Sequence, residues 1–230
     1  MSVNEIQRLL GRSGELDAAV WGELPDPYVP AMSSPRHDAS LTATLMAVEH
    51  ARAFRLLVAE GMFTTAIGVA RMQFEALCRA MWLLYAATDK EVAAATAKLS
   101  KKAERRAGGL PMAAEMVAAL EGKAPHGVHQ MMLGYKQAML KGLHSFVHAG
   151  LHPLQRHVEG YPEQLLAEIV RNINGLFVAT GAFLAILAGS QPSMRAMNRL
   201  QVAFADCLPE LVPANAQPSS PTATASEINE

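Results

Sequence analysis

Hydrophobic residues recur along this chain at intervals of three and four, which is the spacing of one face of an α-helix. Leu41 and Val48 belong to the first long run, which predicts a helix from about Ser40 to the glycine at position 61. A second run, almost continuously apolar, predicts a helix over 63–87. No stretch alternates with a period of two for long enough to predict a strand. The pattern therefore predicts an all-α fold, a helical bundle with long antiparallel helices.

Glycines and prolines divide the rest of the chain into shorter elements. Prolines concentrated between positions 25 and 35 predict an extended connector after a short N-terminal helix. Asp89 is the expected N-cap of a following helix, and Pro153 requires a kink or a helix end near His152. Further helices are expected over 4–10, 89–109, 112–123, 161–188 and 193–208, and one that begins after His126 should carry residues 131–151. The predicted organisation is an N-terminal helix and connector (1–35), a helical domain (36–210) and a disordered tail (211–230).

The amino-acid composition limits the binding partners and the cellular compartment that we expect for this protein. With 20 basic and 21 acidic residues the net charge is −1, so a nucleic acid would have to contact a local basic patch. Cys78 and Cys207 lack the spacing of metal ligands, which predicts reduced, buried thiols in a cytoplasmic protein. The start of the chain has no secretory-signal pattern. The apolar run over 173–188 is shorter than the roughly 20 residues that span a bilayer, so we expect a buried helix and no membrane association.

A stripe of charged residues crosses the second long helix. Arg71, Glu75 and Arg79 follow one another at intervals of four and share a face of an otherwise apolar segment. Burying an unpaired charge is costly, so these side chains must pair, reach solvent or line a cavity. Two interpretations stay open: a structural ion-pair ladder between packed helices, or a polar pocket lined by Arg71 and Glu75 that faces a histidine-rich helix.

Four of the eight histidines, His144, His148, His152 and His157, lie within the segment 141–157. The first three are four residues apart and would share one helical face. His144 and His148 have the spacing by which two imidazoles bind one metal ion, although no acidic residue follows His144. Either could instead be a general acid or base for phosphodiester chemistry near neutral pH. The third interpretation is a pair of hydrogen-bonded interface histidines.

The pattern R-x3-E-x6-W, formed by Arg71, Glu75 and Trp82, is followed later by the segment from His144 to Gly150. Together they resemble the HEPN superfamily (higher eukaryotes and prokaryotes nucleotide-binding domains), and within it bacterial domains of unknown function. The resemblance covers about residues 40–189. It implies a helical bundle that dimerises. For active members it implies a metal-independent endoribonuclease, without a cofactor, that belongs to a toxin–antitoxin or phage-defence system.

The resemblance also assigns roles to particular residues. In the HEPN signature R-x4-6-H the arginine steadies the scissile phosphate and the histidine takes part in proton transfer, and His148 matches that histidine. The only cation five to seven positions before His148 is Lys141, which lacks the bidentate fork of arginine. His144 replaces the usual asparagine. Either Lys141 does the arginine's work together with Arg71, or the chain binds a partner or ligand without cleaving RNA.

A dense basic cluster lies on the predicted helix over 89–109. We interpret it either as the place where RNA phosphates bind or as the solvated face of a helix. Its residues are Lys98, Lys101, Lys102, Arg105 and Arg106.

The resemblance thus implies a homodimer that acts on RNA and pairs with an antitoxin or another protein. Its expected polar pocket contains Arg71, Glu75, Lys141, His144 and His148. A non-catalytic binding or scaffold protein of the same fold is the first alternative. A metal-dependent hydrolase that uses His144 and His148 is the second.

Overall fold

The computed structural model describes residues 4–147 and 150–210, and at 4, 138–145, 147 and 152 it describes the backbone alone. Within these residues the chain forms ten α-helices, one 3-10 turn and no strand, which confirms the all-α prediction. In chain order the elements are α1 (Asn4–Gly22), α2 (Pro35–Ala59), α3 (Phe63–Tyr85), α4 (Asp89–Ala95), α5 (Lys101–Ala107), α6 (Ala113–Ala119), α7 (His126–Val147), α8 (Leu151–Glu159), α9 (Glu163–Leu187), α10 (Gln191–Ala203) and the 3-10 turn Ala205–Cys207.

Helices α2 and α3 form an antiparallel hairpin at the centre of the bundle. The hydroxyl of Ser34 accepts the first-turn amide hydrogen of His37 and so caps the start of α2. Gly61 ends the helix with a φ of 71°, a conformation that glycine adopts at little cost. Buried alanines face each other along the hairpin, and the hydroxyl of Ser40 donates to the carbonyl of Ala80 at 2.8 Å. Small side chains therefore let the two backbones approach closely.

Helix α9 lies against this hairpin and also contacts α1 and α10. Phe177 and Phe183, each 1% exposed, carry its apolar side into the core. Among the described helices, α9 alone is long and apolar enough to cross a membrane, and 67% of its most apolar window is buried inside the fold. The prediction of a buried core helix is confirmed, since the apolar surface of α9 is used in packing.

Two glycines let other elements approach α9 closely. A methyl group at Gly181 would lie 2.6 Å from Cγ1 of Val20. A methyl group at Gly175 would lie 2.9 Å from the ring of Pro209 and would also clash with the hydroxyl of Tyr135. Both contacts are shorter than packed carbon atoms allow, so each site requires glycine.

Gly175→Ala is expected to destabilise the fold by about 1–3 kcal/mol, because the added methyl group overpacks a filled site. Gly68→Ala is the matched control, since a methyl group there meets nothing within 4 Å. Alanine in that helix interior should stabilise by about 0.5–1 kcal/mol. Urea unfolding of both variants at neutral pH measures the two changes. If both substitutions change the free energy of unfolding equally and in the same direction, the close approach at Gly175 is contradicted.

The N-terminal helix is longer than the sequence pattern indicated. The prediction of a short helix over 4–10 is wrong, because α1 continues to Gly22 and buries Leu16 and Val20. Arg8 and Arg12 donate hydrogen bonds to the carboxylate of Asp206, which ties α1 to the 3-10 turn. Tertiary contact with distant parts of the chain thus holds the second half of α1 in place.

The predicted single helix over 89–109 is also wrong. It is divided into α4 and α5, and Ser100 caps the second of them by accepting the amide hydrogen of Ala103 at 3.1 Å. The N-cap of α4 is Thr88 rather than Asp89. Thr88 and Glu91 form a capping box in which each side chain accepts the other's backbone amide hydrogen.

Candidate functional site

The charged stripe of α3 contains a close ion pair. Nε of Arg71 donates to Oε1 of Glu75 at 2.6 Å. Arg71 is 9% exposed, whereas the side chain of Glu75 is 38% exposed. Among the described residues no carboxylate lies within 4 Å of Arg79, so the pair does not extend into a ladder there. The pairing expected from the four-residue spacing is confirmed for Arg71 and Glu75.

Helix α7 packs against α3, the helix that carries this pair. At one end, the charge of Lys136 on α7 acts on the thiol of Cys78. At the other end, the ring of Phe146 lies 6.3 Å from that of Tyr161, which in turn lies 5.6 Å from Phe63 at the start of α3. The end of α7 is therefore near the start of α3, so the two helices run antiparallel.

Two of the predicted pocket residues lie on that part of α7. The backbone of Lys141 and His144 is helical, and their side chains are outside what the structure describes. His148 lies outside the described residues. The structure thus packs the helix of Lys141 and His144 on the helix of the Arg71–Glu75 pair, and the predicted polar pocket stays a prediction.

The expectation that His152 continues the helix of His144 is wrong, whereas the expectation for His148 falls outside the described residues. Helix α7 ends at Val147, Gly150 has an extended backbone (ψ −166°), and α8 begins at Leu151. Pro153 then occupies the first turn of α8, where its missing amide hydrogen costs nothing. Proline therefore begins a new helix here. His157 is an exposed residue of α8.

Both cysteines are free and buried, as predicted. Burial raises the pKa of Cys78 well above its ordinary value and raises that of Cys207 to about 11. A thiol acts as a nucleophile only when it is ionised. These two residues are therefore packing residues.

The basic cluster divides between the α4–α5 connection and α5. Helix α5 buries none of its residues and packs chiefly against α4. The cluster therefore presents its charge to solvent, which is compatible both with RNA binding and with a solvated helix face. Its exposed members are Lys98, Lys101, Lys102, Arg105 and Arg106.

The metal-dependent hydrolase, the second alternative from the sequence, requires a cluster of metal-binding side chains. Over the residues that the structure describes, no group of three or more histidine, cysteine, aspartate or glutamate side chains is placed to hold an ion.

A second charged cluster, between α1 and α2, was not predicted from the sequence. Asp17 of α1 is 9% exposed and accepts hydrogen bonds from both Arg52 and Arg55 of α2. Burial alone would raise the pKa of Asp17, but the Arg52 hydrogen bonds and the two nearby positive charges outweigh it and lower that pKa. The three-residue spacing that puts Arg52 and Arg55 on one side of α2 was the available signal.

The fold and these charged clusters define an all-α protein with polar groups held at helix–helix contacts. Residues 44–210 match the model of a family described as "Family of unknown function (DUF6988)". This match covers more than half of the chain, which therefore belongs to that family. No curated protein and no solved structure matches the chain.

Proposed function

We propose that this protein is a HEPN-like, metal-independent endoribonuclease of a toxin–antitoxin or phage-defence system, working in the cytoplasm as a homodimer. The observation that supports this most is the Arg71–Glu75 ion pair on α3, because α3 packs against α7, the helix that carries Lys141 and His144. Charged groups in an apolar interior are costly and cluster at functional sites, which favours a chemical role for this contact.

The proposed chemistry uses one histidine and one cation. His148 accepts the proton of the attacking ribose hydroxyl, because an imidazole titrates near neutral pH. Lys141 stabilises the negative charge on the phosphate oxygens as the new phosphorus–oxygen bond forms and the bond to the leaving oxygen breaks. The leaving oxygen takes a proton from water, and His148 later releases its proton to water. Arg71 and Glu75 act as positioning residues, since Arg71 is held by its partner and only 9% exposed.

The exposed cations of α5 would attract the RNA backbone to a protein whose net charge is −1. Such contacts are made to phosphates and carry no sequence information. They would therefore strengthen RNA binding without selecting the cleavage site.

Purified protein mixed with a single-stranded RNA in EDTA tests the proposal. We expect cleavage of the RNA and none of a DNA of the same sequence, which lacks the 2′-hydroxyl nucleophile. If the RNA stays intact while circular dichroism shows that the protein is folded, the proposed nuclease activity is rejected.

A non-catalytic binding protein is the second candidate, favoured by the surface of α8. Leu151, Leu154 and Val158 are 66%, 62% and 87% exposed and fall on one side of this helix. An exposed apolar stripe of this kind is typical of a surface that contacts another protein. In that case the partner, such as an antitoxin, would bind along α8 and no RNA would be cleaved.

Lys141→Arg is expected to raise the rate of RNA cleavage by roughly tenfold, because a guanidinium binds phosphate through two parallel hydrogen bonds. It would also restore the arginine of the signature at the correct distance before His148. Lys136→Arg, on the same helix, is the matched control and should leave the rate unchanged. Equal rates for wild type and Lys141→Arg would contradict the expected gain from a bidentate phosphate contact.

A further inference from the structure

An open groove of about 770 Å³ lies between α1 and α2, on the side of the bundle formed by the Asp17 cluster. Its walls are largely apolar and its volume is within the range of small-molecule sites. The apolar part includes Leu10, Ala18, Leu56 and Ala59, and the polar part is Asp17, Arg52 and Arg55 with the indole of Trp21.

Two nitrogen donors beside the groove have no acceptor among the described residues. Nη1 of Arg55 and Nε1 of Trp21 are buried without a hydrogen-bond partner in the part of the chain described. Buried donors in proteins are nearly always paired. The guanidinium of Arg55 is fixed by Asp17 and lies 5.3 Å from the ring of Phe177, so it cannot turn towards solvent without losing these contacts.

Arg52 presents the accessible positive charge of the groove. Its Nε and Nη2 donate to Asp17 at 3.1 and 2.9 Å, and its side chain is still 51% exposed. Its guanidinium lies 5.7 Å from the ring of Trp21. Two arginines and one aspartate leave the cluster with one positive charge in excess, next to an apolar surface.

We propose that this groove binds a small organic anion that has an apolar or aromatic body and one acidic group. The acidic group pairs with Arg52, and the apolar body lies on Trp21 and Leu56. The excess of one positive charge sets the charge of the ligand, and the groove walls set its apolar character. This site is separate from the proposed nuclease site, since it uses α1 and α2 and no residue of α7.

Anilinonaphthalene sulfonate is a suitable probe, because it has an aromatic body, one negative charge and fluorescence that rises on binding. Its uncharged parent, phenylnaphthylamine, has the same aromatic body. We expect one sulfonate to bind per chain, more tightly than the parent and less tightly as salt is added. Loss of binding in parallel with dimer formation would assign the groove to a subunit interface instead.

Arg52→Gln should weaken sulfonate binding about ten- to a hundredfold, the loss expected for one charge-assisted hydrogen bond, and should leave the parent unaffected. Arg199→Gln removes an exposed arginine outside the groove and should change neither affinity. Leu56→Asn, at a position 69% exposed, should weaken both probes without disturbing the fold. Unchanged binding in folded Arg52→Gln and Leu56→Asn would overturn the site.

Discussion

His148→Ala is expected to abolish RNA cleavage, with a loss of roughly 10²–10⁴-fold, which is the usual contribution of a general acid or base. Alanine removes the imidazole and leaves the sequences of α7 and α8 unchanged. The rate is measured on purified protein with a single-stranded RNA in EDTA. Induced expression of wild type should also arrest growth with visible RNA degradation, and expression of His148→Ala should not.

His157→Ala is the matched control for this experiment. His157 belongs to the same histidine-rich segment but is an exposed residue of α8. Its substitution should leave both the cleavage rate and the growth arrest as in wild type. If His148→Ala cleaves RNA as fast as wild type, the assignment of His148 to proton transfer is wrong. If both variants lose activity equally, the effect is structural.

Asp17→Ala is expected to cost about 3–5 kcal/mol of the free energy of unfolding, because it leaves the Arg55 guanidinium buried without its counter-ion. The side chains of Asp17 and Arg55 are only 13% and 14% exposed. Urea unfolding at pH 7 measures the change. Asp206→Ala is the control, since the carboxylate of Asp206 is 44% exposed and its ion pairs should contribute about 1 kcal/mol or less each.

The same substitution has an expected dependence on pH. The pKa of Asp17 is lower in the folded protein than the value of about 3.9 typical of an unfolded chain. The ionised carboxylate therefore stabilises the fold fully above that value, and this contribution is lost as pH falls through the folded pKa. The difference in stability between wild type and Asp17→Ala should narrow below about pH 4. A difference that is constant with pH would show that the charge of Asp17 does not stabilise the fold.

The helices of the core were predictable because their apolar pattern and their local end signals agree. Ser34 and Gly61 bound α2 through contacts made within a few residues. The division between α4 and α5 was missed because the alanine-rich sequence favours one continuous helix over this segment. Ser100 interrupts that helix, since its side chain caps the start of α5. The length of α1 was missed because Leu16 and Val20 are buried by distant helices.

The two charged clusters differ in the same way, since one is formed by residues close together in the sequence and the other by residues far apart. The Arg71–Glu75 pair lies within one helical turn and could be predicted from its spacing. Asp17 is 35 residues from Arg52, so their contact depends on how α1 packs on α2. A single sequence does not encode that packing in any short pattern.

The packing of α1 makes the folding unit larger than the segment by which the family is recognised. The family match begins at Thr44, within α2, and so excludes the capped start of that helix and all of α1. A chain trimmed to residues 44–210 would uncover the α9 surface that Val20 occupies at Gly181. It would also remove Asp17, the counter-ion of the buried Arg55 guanidinium. Conclusions about the family's stability and ligands should therefore be drawn from chains that retain the N-terminal helix.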